Sequence, residues 1–134
     1  MSSEAITRND LTAILNEVLP SVAVDYIVEQ GTSGIWTYRK WNSGIAECWG
    51  VSDVPSATYS ANGGYKQVAE AVPSIFNTTP TTVHASGYIA TTVQTSIGFT
   101  AVDSSWVQTY LINRGASAVT NGGRVYWELK GTWK

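Results

Sequence analysis

Ile35-Trp36-Thr37-Tyr38-Arg39-Lys40-Trp41-Asn42-Ser43-Gly44-Ile45-Ala46-Glu47-Cys48-Trp49-Gly50-Val51 reads as a β-hairpin. Side chains alternate across a strand with a period of two. Trp36, Tyr38 and Lys40 therefore share one face, and Ile35, Thr37, Arg39 and Trp41 the other. Asn42-Ser43-Gly44 supplies the turn, because Asn and Gly accept the positive φ that short hairpin connections demand. The alternation then resumes, with Ile45, Glu47, Trp49 and Val51 against Ala46, Cys48 and Gly50. Each aromatic side chain buries roughly 150–250 Å², so a hairpin this rich in Trp and Tyr needs a second layer to pack on.

The same pattern extends in both directions. Val22 to Val28 reads as a strand entering the sheet, with Gly31-Thr32-Ser33-Gly34 as the turn into the hairpin. Ser52 to Gly64, with its Ser, Ala, Asn and Pro55, reads as a long loop. Tyr65 to Val72 alternates again. Pro73 and Pro80 forbid a central ladder and set two corners. Thr81 to Ala90, Val93 to Val102 and Trp106 to Asn113 read as strands. Arg114 to Gly123 reads as a loop, and Arg124 to Trp133 as the last strand. The expectation is an all-β fold, an antiparallel β-sandwich of about eight strands.

One segment has a different period. Leu11, Ile14, Leu15, Val18 and Leu19 form a single apolar stripe at helical spacing. Asn9 or Asp10 caps it, and Pro20 stops it. A short N-terminal α-helix of about ten residues beginning at Leu11 is thus predicted, within an N-terminal helix or stalk segment of residues 1–21, with the sandwich over residues 22–134. A helix so short is not stable alone in water. Its stripe either docks on its own sandwich or bundles with sister copies as an oligomerisation stalk. In the second case Leu11, Ile14, Leu15 and Val18 form the oligomer interface.

The bulk numbers narrow the function. The chain has 134 residues, 43% of them apolar and only 13% charged, with a net charge of −2. A charged share that low is about half the usual value, and apolar content this high is incompatible with disorder. Lys and Arg are scattered, so there is no electrostatic footprint for nucleic acid. No apolar run approaches the ~20 residues of a membrane span, so no membrane insertion is expected. The N-terminus lacks the basic and apolar regions of a signal peptide, which predicts a chain made and kept in a cytoplasm unless it leaves as part of a larger particle.

Chemistry is sparse. Cys48 and His84 are the single cysteine and histidine, and Cys48 reads as a small buried hydrophobe. The pairs Asp25/Glu29 and Glu47/Glu70 read as solvated surface carboxylates rather than an acid–base couple. No cluster of His, Cys, Asp or Glu suits a metal, and no cofactor is expected. What remains is binding. Trp106 and Tyr110 share one strand face, flanked by Asp103, Gln108, Asn113 and Arg114. Aromatic planes beside carboxylate, amide and guanidinium groups suit sugars, whose C–H faces stack while their hydroxyls meet planar partners. The competing reading places Trp106 and Tyr110 in the core or a subunit seam.

Trp36-Thr37-Tyr38-Arg39-Lys40-Trp41, then Gly44, Ala46 and Glu47, resembles a segment of tail-associated structural proteins in phages and prophages of Firmicutes. There a hairpin of this form opens a C-terminal β-domain. The second half resembles tail-fibre C-terminal domains and, more distantly, the H-type lectin sandwich, through Phe76, Pro80, Gly98-Phe99 and the closing Val125-Tyr126-Trp127. The resemblance implies sandwiches that trimerise about an axis, often after a helical stalk. It carries over no sugar-binding residue. The expected function is a non-enzymatic, homotrimeric virion tail protein, working beside other phage tail proteins and binding a host cell-wall saccharide. The alternatives are a structural connector or cap without ligand and, ranked last, a cell-wall polysaccharide hydrolase.

Overall fold

In the computed structural model, residues 24–91, 94–98 and 100–134 are described, and the predicted helix with Leu11, Ile14, Leu15 and Val18 lies outside them. The described residues form nine strands in two antiparallel sheets: β1 (Ile27–Ser33), β2 (Trp36–Trp41), β3 (Ile45–Tyr59), β4 (Gly64–Ala71), β5 (Thr82–Ile89), β6 (Thr95–Ile97), β7 (Ala101–Val102), β8 (Trp106–Asn113) and β9 (Val119–Thr132). One sheet runs β1-β2-β3-β9-β5. The other runs β4-β8-β6, with β7 also pairing β8.

The hairpin forms as its sequence predicts, with Gly44 in the turn at φ 100°. Its register explains which face goes inside. Trp36 lies opposite Gly50, and Tyr38 opposite Cys48. A Cβ at Gly50 would stand 2.7 Å from the Ile35 carbonyl oxygen and 3.2 Å from the Trp36 ring. Large residues on one strand thus face small ones on the next, and the small face, Ala46 and Cys48, is buried. Ile45, Trp49 and Val51 stay on the outer face and are exposed.

Several boundaries differ from the sequence reading. β1 begins at Ile27 rather than Val22, and its turn into β2 is only Gly34-Ile35. Gly34 takes φ 59° at the first central position, as a tight two-residue hairpin requires. The Ser52–Gly64 "loop" is mostly strand, because β3 runs on to Tyr59 through a bulge that places Pro55 and Ser56 against Gly122. A bulge is where a sheet tolerates a residue without an N–H. Likewise β9 begins at Val119, inside the expected 114–123 loop. Gly122 and Gly123 are needed there for close backbone approach, not for a turn: a Cβ on Gly123 would sit 2.1 Å from the Tyr88 carbonyl oxygen. Conversely, the strand expected over Val93 to Val102 is broken into β6 and β7.

The core lies between the sheets. Val54, Tyr59, Ile89, Val125, Trp127 and Leu129 meet Val68, Val107 and Leu111. The 72–81 connection, with its two proline corners, closes one end. Its Asn77 and Thr81 N–H groups donate to the Thr132 and Lys130 carbonyls at 2.9 Å each, and Phe76 packs 3.0 Å from where a Gly131 Cβ would stand. Indole N–H groups brace the core: Trp36 donates across the layers to the Ala71 carbonyl at 2.8 Å, and Trp127 donates to Ser52 Oγ on the neighbouring strand at 2.7 Å. Cys48 is fully buried in this core, and burial pushes its thiol up to about 12. The thiolate is the reactive species. Native protein is therefore expected to resist a thiol-specific reagent at pH 8 and to label at once in denaturant, which a time course of labelling measures.

Candidate functional site

The outer face of the four-stranded sheet carries the predicted ligand residues, and the register decides which of them meet. Odd and even positions of β8 part company: Val107, Thr109, Leu111 and Asn113 are buried, while Trp106, Gln108, Tyr110 and Ile112 face outward. On β4 the outward residues are Tyr65, Gln67, Ala69 and Ala71. Pairing sets Ala71 beside Trp106, Ala69 beside Gln108, Gln67 beside Tyr110 and Tyr65 beside Ile112.

Two depressions result. The first, about 440 Å³, is walled by Trp106 and Asp103 and floored by Ala69 and Ala101, with Gln67 and Gln108 at its side. The second, about 220 Å³, is formed by Tyr65, Tyr110, Gly98 and Ile112. It exists because residue 98 is glycine: a Cβ there would lie 2.8 Å from Ile112 Cδ1 and 3.2 Å from Tyr110 Cβ. Between the depressions, the Gln67 amide donates to the Gln108 side-chain oxygen. Tyr65 and Tyr110 meet edge to face, centroids 5.5 Å apart at 83°, a geometry the ring quadrupoles favour.

Trp106 differs from the other tryptophans. Trp36, Trp41, Trp127 and Trp133 each donate their N–H within the protein, and Arg39 sits 5.0 Å over the Trp49 ring. Trp106 is 55% exposed, and among the described residues nothing hydrogen-bonds its indole. Its backbone, by contrast, is held. Asp103 Oδ1 accepts the N–H groups of Trp106 and Ser105 at 2.7 and 2.6 Å. These bonds, that from Trp106 foremost, draw the Asp103 carboxyl below its usual range. Asp103 thus positions the ring.

The remaining predicted residues separate. Arg114 is exposed and donates from Nε to Ser96 Oγ at 3.0 Å, beyond the second depression. Asn113 turns the other way. It is fully buried, and its amide donates to the carbonyls of Tyr59, Ser60 and Ser117 while its oxygen accepts the Gly115 N–H at 2.9 Å. It ties the ends of β3 and β8 together and does not reach the outer face. Asn113→Ala is expected to lower stability by about 2–3 kcal/mol, because several backbone groups lose their partner. Thermal unfolding measures that loss.

Sequence reasoning missed Tyr65, Gln67 and Gly98. The outward positions of Tyr65 and Gln67 follow from alternation alone, but only the β4–β8 register brings them beside Tyr110, while Gly98 reaches it from the β6 side, its N–H donating to the Tyr110 carbonyl at 2.8 Å. Elsewhere, Glu47 accepts the Trp41 indole N–H on the outer face of the five-stranded sheet, whereas Glu70 accepts the Ser52 hydroxyl on the inner side. These two carboxylates face different ways and form no couple. Glu29 is paired with Lys40 at 3.1 Å, and Asp25 caps the hairpin turn at the Ser43 N–H. His84 is exposed on β5.

No family model matches the chain, and no curated protein matches it. Solved structures do. An N-truncated R1-type pyocin tail fibre matches with a TM-score of 0.59 at 10% identity, over 87% of this chain and 94% of that one. In fold, the chain is similar to a pyocin tail fibre. A longer P. aeruginosa R1 pyocin fibre, comprising C-terminal residues, matches with a TM-score of 0.60 at 11% identity, over 95% of this chain and 32% of that one. The chain thus spans about a third of that longer fibre. A tail-fibre fold at this identity preserves the path of the strands, while the outward side chains of β4 and β8 belong to this sequence.

Proposed function

We propose that this chain is a non-enzymatic virion tail component of the tail-fibre type. In this reading it is a homotrimer that assembles with other tail proteins and presents the outer face of its four-stranded sheet to a saccharide on the host surface. The observation that carries the binding is Trp106: an exposed indole whose N–H meets no partner among the described residues, fixed at the backbone by Asp103, on the same outer face as a tyrosine pair. Structural tryptophans are anchored on several sides, whereas this one offers a flat face and a free donor to a ligand. Self-association has its own support. The outer face of the five-stranded sheet leaves Ile45, Trp49, Val51, Tyr88 and Tyr126 exposed, with Val51 directly beside Tyr126 in the ladder. Apolar patches of this kind mark interfaces. Three copies would raise the apparent affinity of a shallow site without new contacts.

Two measurements test this. Light scattering on the purified protein should give three times the chain mass, and a single-chain mass rejects the trimer. Cell-wall pull-down should retain the protein and lose it on Trp106→Ala, with unfolding unchanged. The second reading, a connector without ligand, is favoured by the same outer aromatic residues; it holds if Trp106→Ala leaves wall retention unchanged but weakens tail assembly.

A further inference from the structure

Resting on the saccharide reading above, we infer that the site takes an extended, uncharged oligosaccharide that bridges Trp106 and the Tyr65–Tyr110 pair, rather than a single sugar or an acidic glycan. Spacing is the first ground. Trp106 and Tyr110 lie four residues apart on β8. At about 3.4 Å per residue their platforms are separated by about 14 Å. That is more than one sugar ring spans, so a monosaccharide could stack on one platform only.

The floor is the second ground. Between the platforms stand Ala69 and Ala101, whose short side chains leave the depression open, and the Gln67–Gln108 pair. Amides offer both donors and acceptors, which suits the hydroxyls of a chain lying across them. A glycan backbone laid along β8 would meet aromatic face, amide pair and aromatic face in turn.

Charge is the third. The charged side chains of β4, Lys66 and Glu70, lie on its inner, half-buried face. The outer face therefore carries charge only at its ends, Asp103 at the Trp106 wall and Arg114 beyond the tyrosines. Asp103 Oδ1 accepts two backbone N–H groups and Arg114 Nε donates to Ser96, which fixes where each charge sits, and Asp103 stays ionised at the Trp106 wall. Among the described residues no cation lines either depression to offset an acidic sugar, and a carboxylate near Asp103 would be repelled.

The test is a glycan array carrying bacterial surface glycans, neutral and acidic, from single sugars to long chains, probed with the full chain. Neutral glycans of several units should bind, single sugars should not, and acidic glycans of equal length should bind at least tenfold more weakly. Tyr65→Ala and Trp106→Ala should each weaken the neutral signal by about tenfold, the upper end of what one aromatic contact supplies. Both residues are more than half exposed, so both variants should melt as the parent does. Ala69→Glu, which fills and charges the floor, should abolish the signal. Binding of single sugars as tight as long chains, equal binding of acidic glycans, or indifference to Tyr65→Ala overturns this inference while leaving saccharide binding standing. Silence across the whole array overturns both.

Discussion

Gly123→Ala is expected to prevent folding or to lower the melting temperature by on the order of 10–20 °C, although it adds one methyl group. The added Cβ would stand 2.1 Å from the Tyr88 carbonyl oxygen and 3.1 Å from its carbon. Both are backbone atoms in the β5–β9 ladder, where Gly123 pairs with Ile89, so no rotamer change relieves the clash. The strands must part, and overpacking of that kind costs about 3 kcal/mol or more. Two glycines provide the contrast. Gly87 faces the Arg124 carbonyl oxygen at 2.4 Å, so Gly87→Ala should behave like Gly123→Ala. Gly34 has open space around it but φ 59°, so Gly34→Ala should cost only about 1 kcal/mol of backbone strain. Thermal melts of the three variants check the order; equal melting points for Gly34→Ala and Gly123→Ala would contradict the ladder described above.

Ser52→Ala removes one oxygen and is expected to cost about 2–3 kcal/mol. Ser52 Oγ accepts the buried Trp127 indole N–H at 2.7 Å and donates to Glu70 Oε1 at 2.6 Å. That chain of three side chains runs from β9 through β3 to β4, so it ties one sheet to the other. Without the hydroxyl, a buried N–H and a half-buried carboxylate lose their partners together. A stranded donor or acceptor costs more than the lost bond was worth. Trp127→Phe should be costly in the parent and markedly less so beside Ser52→Ala, because the shared bond is already gone. Chemical denaturation of the double-mutant cycle reads this coupling. Additive costs would show that the three groups act independently.

How much of this was legible in advance depends on which interactions hold each residue. The hairpin of β2 and β3, the strand Trp106–Asn113 and the corners at Pro73 and Pro80 were readable because alternation and turn chemistry act over a few residues. Residues 52–59 and 119–123 were not readable as strand. Their Ser, Pro, Asn and Gly content signals loop locally, but each is held by the other across a bulged ladder nearly seventy residues away in the chain. The two glycines that look like a turn are there because β3 and β5 press on β9 from both sides.

The candidate site divides along the same line. Trp106 and Tyr110 announced a shared face by their spacing on one strand, and Asp103 lay close enough to be included. Asn113 was grouped with them by proximity in sequence, yet a one-residue change of parity sends it into the core. Tyr65 and Gln67 were left out because nothing local says that β4 lies beside β8.

The sequence by itself determined that the described residues form an all-β fold and which residues share a strand face, since the pleat repeats every second residue wherever the strand lies. It did not determine which face is buried, where the long strands end, or that Tyr65 of another strand would join Tyr110 and Trp106 on one outer face. Those were decided by the packing of two sheets and the register between strands, because a side chain's surroundings are set by partners that only the folded backbone brings near.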